Sequence, residues 1–177
     1  MSEMPVLGVI GGTGLYTLPD LEDIEEYALT TPFGEPSAPL LVGRLEGRCI
    51  AFLARYGLGN RLLPGEINYR ANIYALKSLG VQRLVGVCAC GSLREDFAPG
   101  DVIIPDQLID MTKKRQDSFF GNGLVANLSV AEPFCEGLAQ ALFQCCTMEG
   151  AKVHKGGSLL TIEGPRFSTR GETNVFR

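Results

Sequence analysis

Histidine is almost missing from this chain: His154 is the single one in 177 residues. Cysteine is better represented, with Cys49, Cys88, Cys90, Cys135, Cys145 and Cys146, but none of these is spaced C-x-x-C. With one imidazole to assist them they do not compose a zinc site, and the reading is no metal. They are expected to be reduced, packed thiols of a cytosolic protein. Positive charge is also short, 16 Lys and Arg against 20 Asp and Glu for a net charge of -4, which argues against nucleic acid as the main partner. No apolar run is long enough to span a bilayer, and Met1 to Ile10 has neither the basic start nor the small-residue cleavage site of a signal peptide. The expectation is a cytoplasmic protein with no membrane partner. Repeats, linkers and low-complexity segments are absent as well. With 45% hydrophobic residues over 177 positions the chain can bury a real core, and residues 1–177 are read as a single domain.

What is present begins at Val6-Leu7-Gly8-Val9-Ile10, a short run rich in β-branched residues that predicts a buried strand. It ends in Gly11-Gly12-Thr13-Gly14. Glycines let such a turn bend sharply with its N–H groups converging, a geometry that cradles phosphate oxygens, and Thr13 adds a hydroxyl. The turn is neither a P-loop nor a full G-x-G-x-x-G, so a nucleotide cofactor does not follow from it. Taken alone, it fits a phosphate cradle and a plain structural turn equally well.

Further along, Glu22, Asp23, Glu25 and Glu26 read as solvated surface. Leu40 to Leu45 and Arg48 to Leu53 flank Glu46-Gly47 as a hairpin. Ile67 to Leu79 has helical spacing through Ile67, Ala71, Tyr74 and Leu76 and stops at Gly80. Strands are predicted over Val81 to Cys90, Asp101 to Asp110 and Lys155 to Ile162, and a helix over Pro133 to Met148. Strands separated by helices give an α/β fold with a largely parallel sheet. In such sheets ligands gather beyond the carboxyl ends of strands. Three glycine-marked strand ends are available: Gly11 to Gly14, Gly91-Ser92 and Glu163-Gly164-Pro165. Thr169-Arg170-Gly171-Glu172 has the capping-box pattern, so a helix should open near Thr169, close to the last residue, Arg177. A helix that short is marginal alone; the reading is a fragment of a longer chain, with a short docked terminal helix as the alternative.

Several stretches together resemble a known family: Gly8-Val9-Ile10-Gly11-Gly12-Thr13-Gly14, Thr31-Pro32-Phe33-Gly34, Asn68-Tyr69-Arg70-Ala71-Asn72-Ile73, Ala89-Cys90-Gly91-Ser92-Leu93-Arg94, Pro99-Gly100-Asp101, Ala131-Glu132-Pro133-Phe134-Cys135 and Thr161-Ile162-Glu163-Gly164-Pro165-Arg166-Phe167-Ser168. Their order and spacing resemble the 5′-methylthioadenosine phosphorylase branch of the purine nucleoside phosphorylase family. The resemblance implies a three-layer α/β fold with a central mixed, largely parallel sheet, its C-terminal part missing here. It implies a homotrimer that splits the N-glycosidic bond of a purine nucleoside with inorganic phosphate, giving free purine and (methylthio)ribose 1-phosphate in purine salvage. No metal or organic cofactor goes with it; phosphate is a co-substrate.

Carried over by the resemblance, the phosphate-binding residues are Thr13, Arg55, Tyr56, Cys88 and Ala89. Arg55 suits bidentate contacts to phosphate. Tyr56 replaces a histidine and can donate one hydrogen bond, while Cys88 stands in place of a hydroxyl residue and is a poor donor. Ala89 would serve through its backbone N–H. Cys90 and Gly91 would line a purine-sized pocket, Phe167 and Ser168 would face purine and sugar, and Asn127 of a neighbouring subunit would approach the 5′ group. Asn60 and Asn127 also take the places of histidines. The family's Met-Thr and Asp-x-Asp segments fall beyond Arg177, so no catalytic acid is expected within this chain. Two other readings stay open: a phosphorylase of 6-oxopurine nucleosides (methylthioinosine, inosine, guanosine), and a truncated or decayed non-catalytic member. A dinucleotide-binding module is disfavoured, since no acidic residue follows on a second strand in the expected place.

Overall fold

The structure is a computed structural model that describes residues 4–15 and 17–177; the first three residues of the Met1–Ile10 segment and Tyr16 lie outside the described residues. The protein is α/β, as its sequence pattern predicts, and its described residues divide into two compact units. The first runs to Cys90 and includes Arg115–Phe119; the second comprises Gly91–Lys114 and Phe120–Arg177.

A mixed five-stranded sheet organises the first unit: β1 (Leu7–Gly11), β2 (Glu22–Tyr27), β3 (Leu40–Leu45), β4 (Arg48–Ala54) and β5 (Arg83–Val87), in the order β2-β3-β4-β1-β5. The centre is parallel, with β1 between β4 and β5, and the β2 side is antiparallel. β4 is an unbroken apolar run because it is covered on both faces. Leu40, Ala51, Phe52, Leu53, Ala75 and Leu76 form the heart of the core, where sheet and helix α1 (Tyr69–Ser78) close over one another. The hairpin sits where Glu46-Gly47 predicts it, and both residues have positive φ, 48° and 73°. That is the geometry a two-residue turn needs to match strand twist.

The acidic stretch is solvated, as expected, but it is also a strand. β2 is an edge whose carboxylates face water, a pattern that discourages pairing with other chains. Helix α1 starts later than predicted, capped by Asn68, whose side chain accepts from the Ala71 N–H at 3.1 Å. Gly80 ends it with φ of 94°. Tyr74, expected on the buried face, is exposed and meets Phe33 edge-on with ring centroids 5.7 Å apart. The buried face instead carries Ala71, Asn72, Ala75 and Leu76.

Asn72 is the polar exception in that core. Its Oδ1 accepts from the Ser37 N–H at 2.8 Å and its Nδ2 donates to the Ser37 Oγ at 2.9 Å. Asn68 donates to the Phe33 carbonyl at 2.6 Å. Asn68, which caps α1, and Asn72 within it thus fasten the loop 31–37.

In the second unit two predicted strands are each broken in two. Asp101 to Asp110 becomes β6 (Val102–Ile104) and β7 (Gln107–Met111); Lys155 to Ile162 becomes β8 (Val153–Lys155) and β9 (Ser158–Ile162). β6 pairs with β8 and β7 with β9, both parallel. The breaks face each other. Pro105 has no N–H for a ladder, and opposite it Gly156 and Gly157 take φ of 95° and 107°. Asp106 bridges the jog by accepting from the Gly157 N–H at 3.0 Å.

Helix α2 (Glu136–Met148) begins three residues after Pro133, with Cys135 as its first boundary and no side-chain cap. Lys155 ties it to β8 through Glu136 at 2.6 Å and Gln140 at 2.7 Å. His154, the single imidazole, bonds the Asp101 carboxylate at 2.7 Å and lies against Phe97, with ring centroids 4.6 Å apart. Lys152 reaches the same carboxylate at 2.9 Å. Helix α3 (Arg170–Phe176) opens on the Thr169–Glu172 capping box that its sequence predicts.

Candidate active site

Parallel register brings three strand ends together in the first unit. Gly11 pairs with Ala54 on one side and Val87 on the other, so the chain leaves β1, β4 and β5 at one level. The Gly12 N–H donates to the Val87 carbonyl at 2.8 Å, and the Arg55 N–H to the Gly11 carbonyl at 2.9 Å. The residues that follow are Gly12-Thr13-Gly14, Arg55-Tyr56 and Cys88-Ala89-Cys90.

The glycine at position 12 is required by space. A Cβ there would lie 2.6 Å from the Arg55 Nη2, 2.7 Å from the Val87 carbonyl oxygen and 3.3 Å from the Cys88 Cα. The guanidinium is therefore pressed against the glycine turn itself. Its Nε is buried with no hydrogen-bond partner among the described residues, and its carbon lies 4.9 Å from the centroid of the Tyr56 ring. Stacking on an aromatic face holds the cation without consuming its donors. The Tyr56 ring thus supports Arg55, and this contact leaves the tyrosine hydroxyl free to donate. Thr13, next along the turn, is exposed, and Gly14 turns the chain with φ of 90°.

Sequence reading missed the relation between Cys88 and Cys90. Their sulfurs lie 3.5 Å apart. The Cys88 thiol is lowered to about 6, first by hydrogen bonding from Cys90 and then by the neighbouring Arg55 guanidinium, against the opposing effect of burial. The Cys90 thiol is correspondingly raised, since it keeps the proton that Cys88 gives up. None of the six cysteines is buried or bound in a disulfide; four, Cys88, Cys90, Cys135 and Cys145, are exposed. The expectation of packed thiols holds for Cys49, which lies against the core, and is corrected for these four. The apolar runs that carry Cys88, Cys90, Cys135 and Cys145 lie along faces open to solvent, and sequence hydropathy does not report which face a run presents.

The remaining predicted residues belong to the second unit. Gly91 opens it, in open space. Asn127 lies in the exposed stretch between β7 and α2. Phe167 and Ser168 lie between β9 and α3, in a segment fixed at both ends. At one end Glu163 accepts from the backbone N–H groups of Lys113 and Lys114. At the other, Glu172 bonds the Arg166 guanidinium with both oxygens, at 2.6 and 2.7 Å, and accepts from the Thr169 N–H at 2.7 Å. The Glu172 carboxyl is held at about 2, chiefly by Arg166. Between these anchors Phe167 is 90% exposed, so it is not a core residue of its unit.

Residues 6–177 match the Phosphorylase superfamily. The chain belongs to that superfamily. Within it the chain is 53% identical over 171 residues to the S-methyl-5′-thioadenosine phosphorylase of Hyperthermus butylicus, covering 97% of this chain and 62% of that protein. It is 54% identical over 172 residues to the enzyme of the same name from Chloroflexus aurantiacus, covering 97% and 60%. The chain thus spans about three-fifths of the length of these superfamily relatives. Its fold is that of superfamily members with solved structures. A methylthioadenosine phosphorylase from an antarctic soil metagenomic library matches with a TM-score of 0.93 and 45% identity, over 98% of this chain and 61% of that one. A variant of adenosine/methylthioadenosine phosphorylase from Schistosoma mansoni, solved with methylthioadenosine, matches with a TM-score of 0.92 and 37% identity, over 97% and 68%.

Proposed function

We propose that this chain is part of an S-methyl-5′-thioadenosine phosphorylase and carries its phosphate-binding side. The observation that supports this most directly is the Arg55 guanidinium pressed on the Gly12 turn, at the carboxyl ends of three adjacent parallel strands. A hydroxyl and a cation at a glycine turn suit an oxyanion. In the reaction a phosphate oxygen attacks C1′ of the ribose while the bond from C1′ to the purine nitrogen breaks, and its electrons pass to the leaving purine. The ribose gains oxocarbenium character, which the adjacent phosphate charge stabilises. Thr13, Arg55, the Ala89 N–H and the side chains of Tyr56 and Cys88 would surround that phosphate.

Cys90, Gly91, Phe167 and Ser168 would face the purine and sugar, with Asn127 of a neighbouring subunit of a homotrimer near the 5′ group. The acid that stabilises the purine leaving group is assigned to the part of the relatives' length that this chain does not span. The chemistry needs no metal or organic cofactor, because phosphate supplies the nucleophile. A cytoplasmic place in purine salvage suits such substrates. The test titrates inorganic phosphate into the chain and into Arg55→Ala by calorimetry. It also measures adenine release from 5′-methylthioadenosine with the full-length enzyme. Phosphate-dependent release and loss of phosphate binding in Arg55→Ala are expected. Equal phosphate affinity in the two proteins, or faster cleavage of methylthioinosine or inosine, would overturn the assignment.

A further inference from the structure

Two exposed thiols in contact are rare company for a buried-nitrogen arginine, and their geometry has chemistry of its own. Cys88 and Cys90 are two residues apart just past the end of β5. Even a fully extended chain sets residues two apart only roughly 6.6 Å apart at Cα, inside the span of about 4.4–6.8 Å that a disulfide bridges. The sulfurs already touch, at 3.5 Å, and Cys90 also points back toward the Cys88 carbonyl at 3.8 Å. Residues 88–90 belong to no strand, and a Cβ on Gly91 would meet nothing within 4 Å, so the backbone there has room to adjust.

From this we infer that Cys88 and Cys90 form a redox-active dithiol, a modification site at which a hydroperoxide closes an 88–90 disulfide. Cys88 is the attacking sulfur, because the Arg55 cation and the Cys90 S–H stabilise its thiolate at neutral pH. The thiolate attacks the outer peroxide oxygen. The O–O bond breaks, the alkoxide or hydroxide takes a proton and leaves as alcohol or water, and Cys88 becomes a sulfenic acid. The Cys90 sulfur, losing its proton, then attacks the Cys88 sulfur; the S–S bond forms and water departs. In total the two thiols give up two electrons and two protons, and the peroxide is reduced by those two electrons. This chemistry does not depend on phosphate or on the proposed reaction.

The experiment treats the reduced protein with hydrogen peroxide in slight excess, blocks free thiols with N-ethylmaleimide and reads the tryptic peptide Leu84–Arg94 by mass. The expected product lacks two hydrogens, carries no maleimide and returns to two alkylated thiols after dithiothreitol. Cys49, Cys135, Cys145 and Cys146 should remain alkylated in the same sample. In Cys90→Ser the oxidation of Cys88 should stop at the sulfenic acid, trapped by dimedone; in Cys88→Ser, Cys90 should react at least tenfold more slowly than Cys88 does in the parent. Full alkylation of both thiols after peroxide would overturn the inference. So would accumulation of a sulfinic acid at Cys88 in place of the disulfide, or equal reactivity of the two single-cysteine variants.

Discussion

A side-chain carbon on Gly12 would fall 2.6 Å from the Nη2 of Arg55, so the smallest residue in the chain and one of its largest occupy a single space. Gly12→Ala should therefore act through Arg55. The methyl group forces the guanidinium away from the turn, and phosphate binding should fall nearly as far as in Arg55→Ala. A charge-assisted contact of this kind is worth ~2 kcal/mol or more, about thirtyfold in Kd. Calorimetric titration of phosphate into both variants and the double variant checks this. If the two residues act as one unit, the double variant should be no weaker than either single one.

Cys88→Thr should tighten phosphate binding, and more so as pH rises. Above about 6 the Cys88 sulfur is anionic, and it then competes with phosphate for the Arg55 charge. The ratio of phosphate Kd in the parent to that in Cys88→Thr should grow as pH passes from 5 to 8, through the value of about 6 held by this thiol. Taking the ratio cancels the titration of phosphate itself. A ratio independent of pH would show that the sulfur does not carry that charge.

Asp101 should support the second unit at neutral pH and cease to do so in acid. Lys152 first, and then His154, hold its carboxyl at about 2, below the unfolded value of about 3.9. A depressed carboxylate contributes stability that is complete above its unfolded value and is lost as pH falls through the folded one. Asp101→Asn should lower the urea midpoint of unfolding at pH 6–7, and its deficit relative to the parent should shrink as pH is lowered from about 4 toward 2.

Thr169→Ala removes the hydroxyl that accepts from the Glu172 N–H at 3.1 Å. Loss of such a cap costs about 0.5–2 kcal/mol. Helix α3 has seven residues and none of them is buried, so little else compensates. Amide hydrogen exchange across 170–176 should accelerate in this variant, while exchange in α1 should be unchanged.

Local chemistry was legible in the sequence wherever neighbours along the chain decide the outcome. The Glu46-Gly47 hairpin, the Gly80 helix stop and the Thr169 capping box are of this kind, since each is settled within a few residues. The glycine turn after β1 reads from sequence as a cradle or as a plain turn, and the Arg55 guanidinium that meets it comes from another strand end. Features that depend on a partner far along the chain were not legible. The break of β6 from β7 follows from Pro105 only because Gly156 and Gly157 kink at the same level. Cys88 and Cys90 did carry a signal, an i to i+2 spacing at a strand end. That spacing matches no metal-ligand pattern, yet it is enough for two sulfurs to meet at 3.5 Å.

Asn72, at 2% exposure, gives both ends of its amide to Ser37. Heritable change at this point is therefore restricted to pairs. A lone replacement of Asn72 leaves the N–H and hydroxyl of half-buried Ser37 without this partner, and an unsatisfied group costs up to about 1–3 kcal/mol where it is buried. A lineage could leave this arrangement by altering helix and loop together, or by passing through an intermediate made tolerable by extra stability elsewhere. The first turns of α1 and the loop 31–37 form one unit of inheritance, although about thirty residues of sequence separate them.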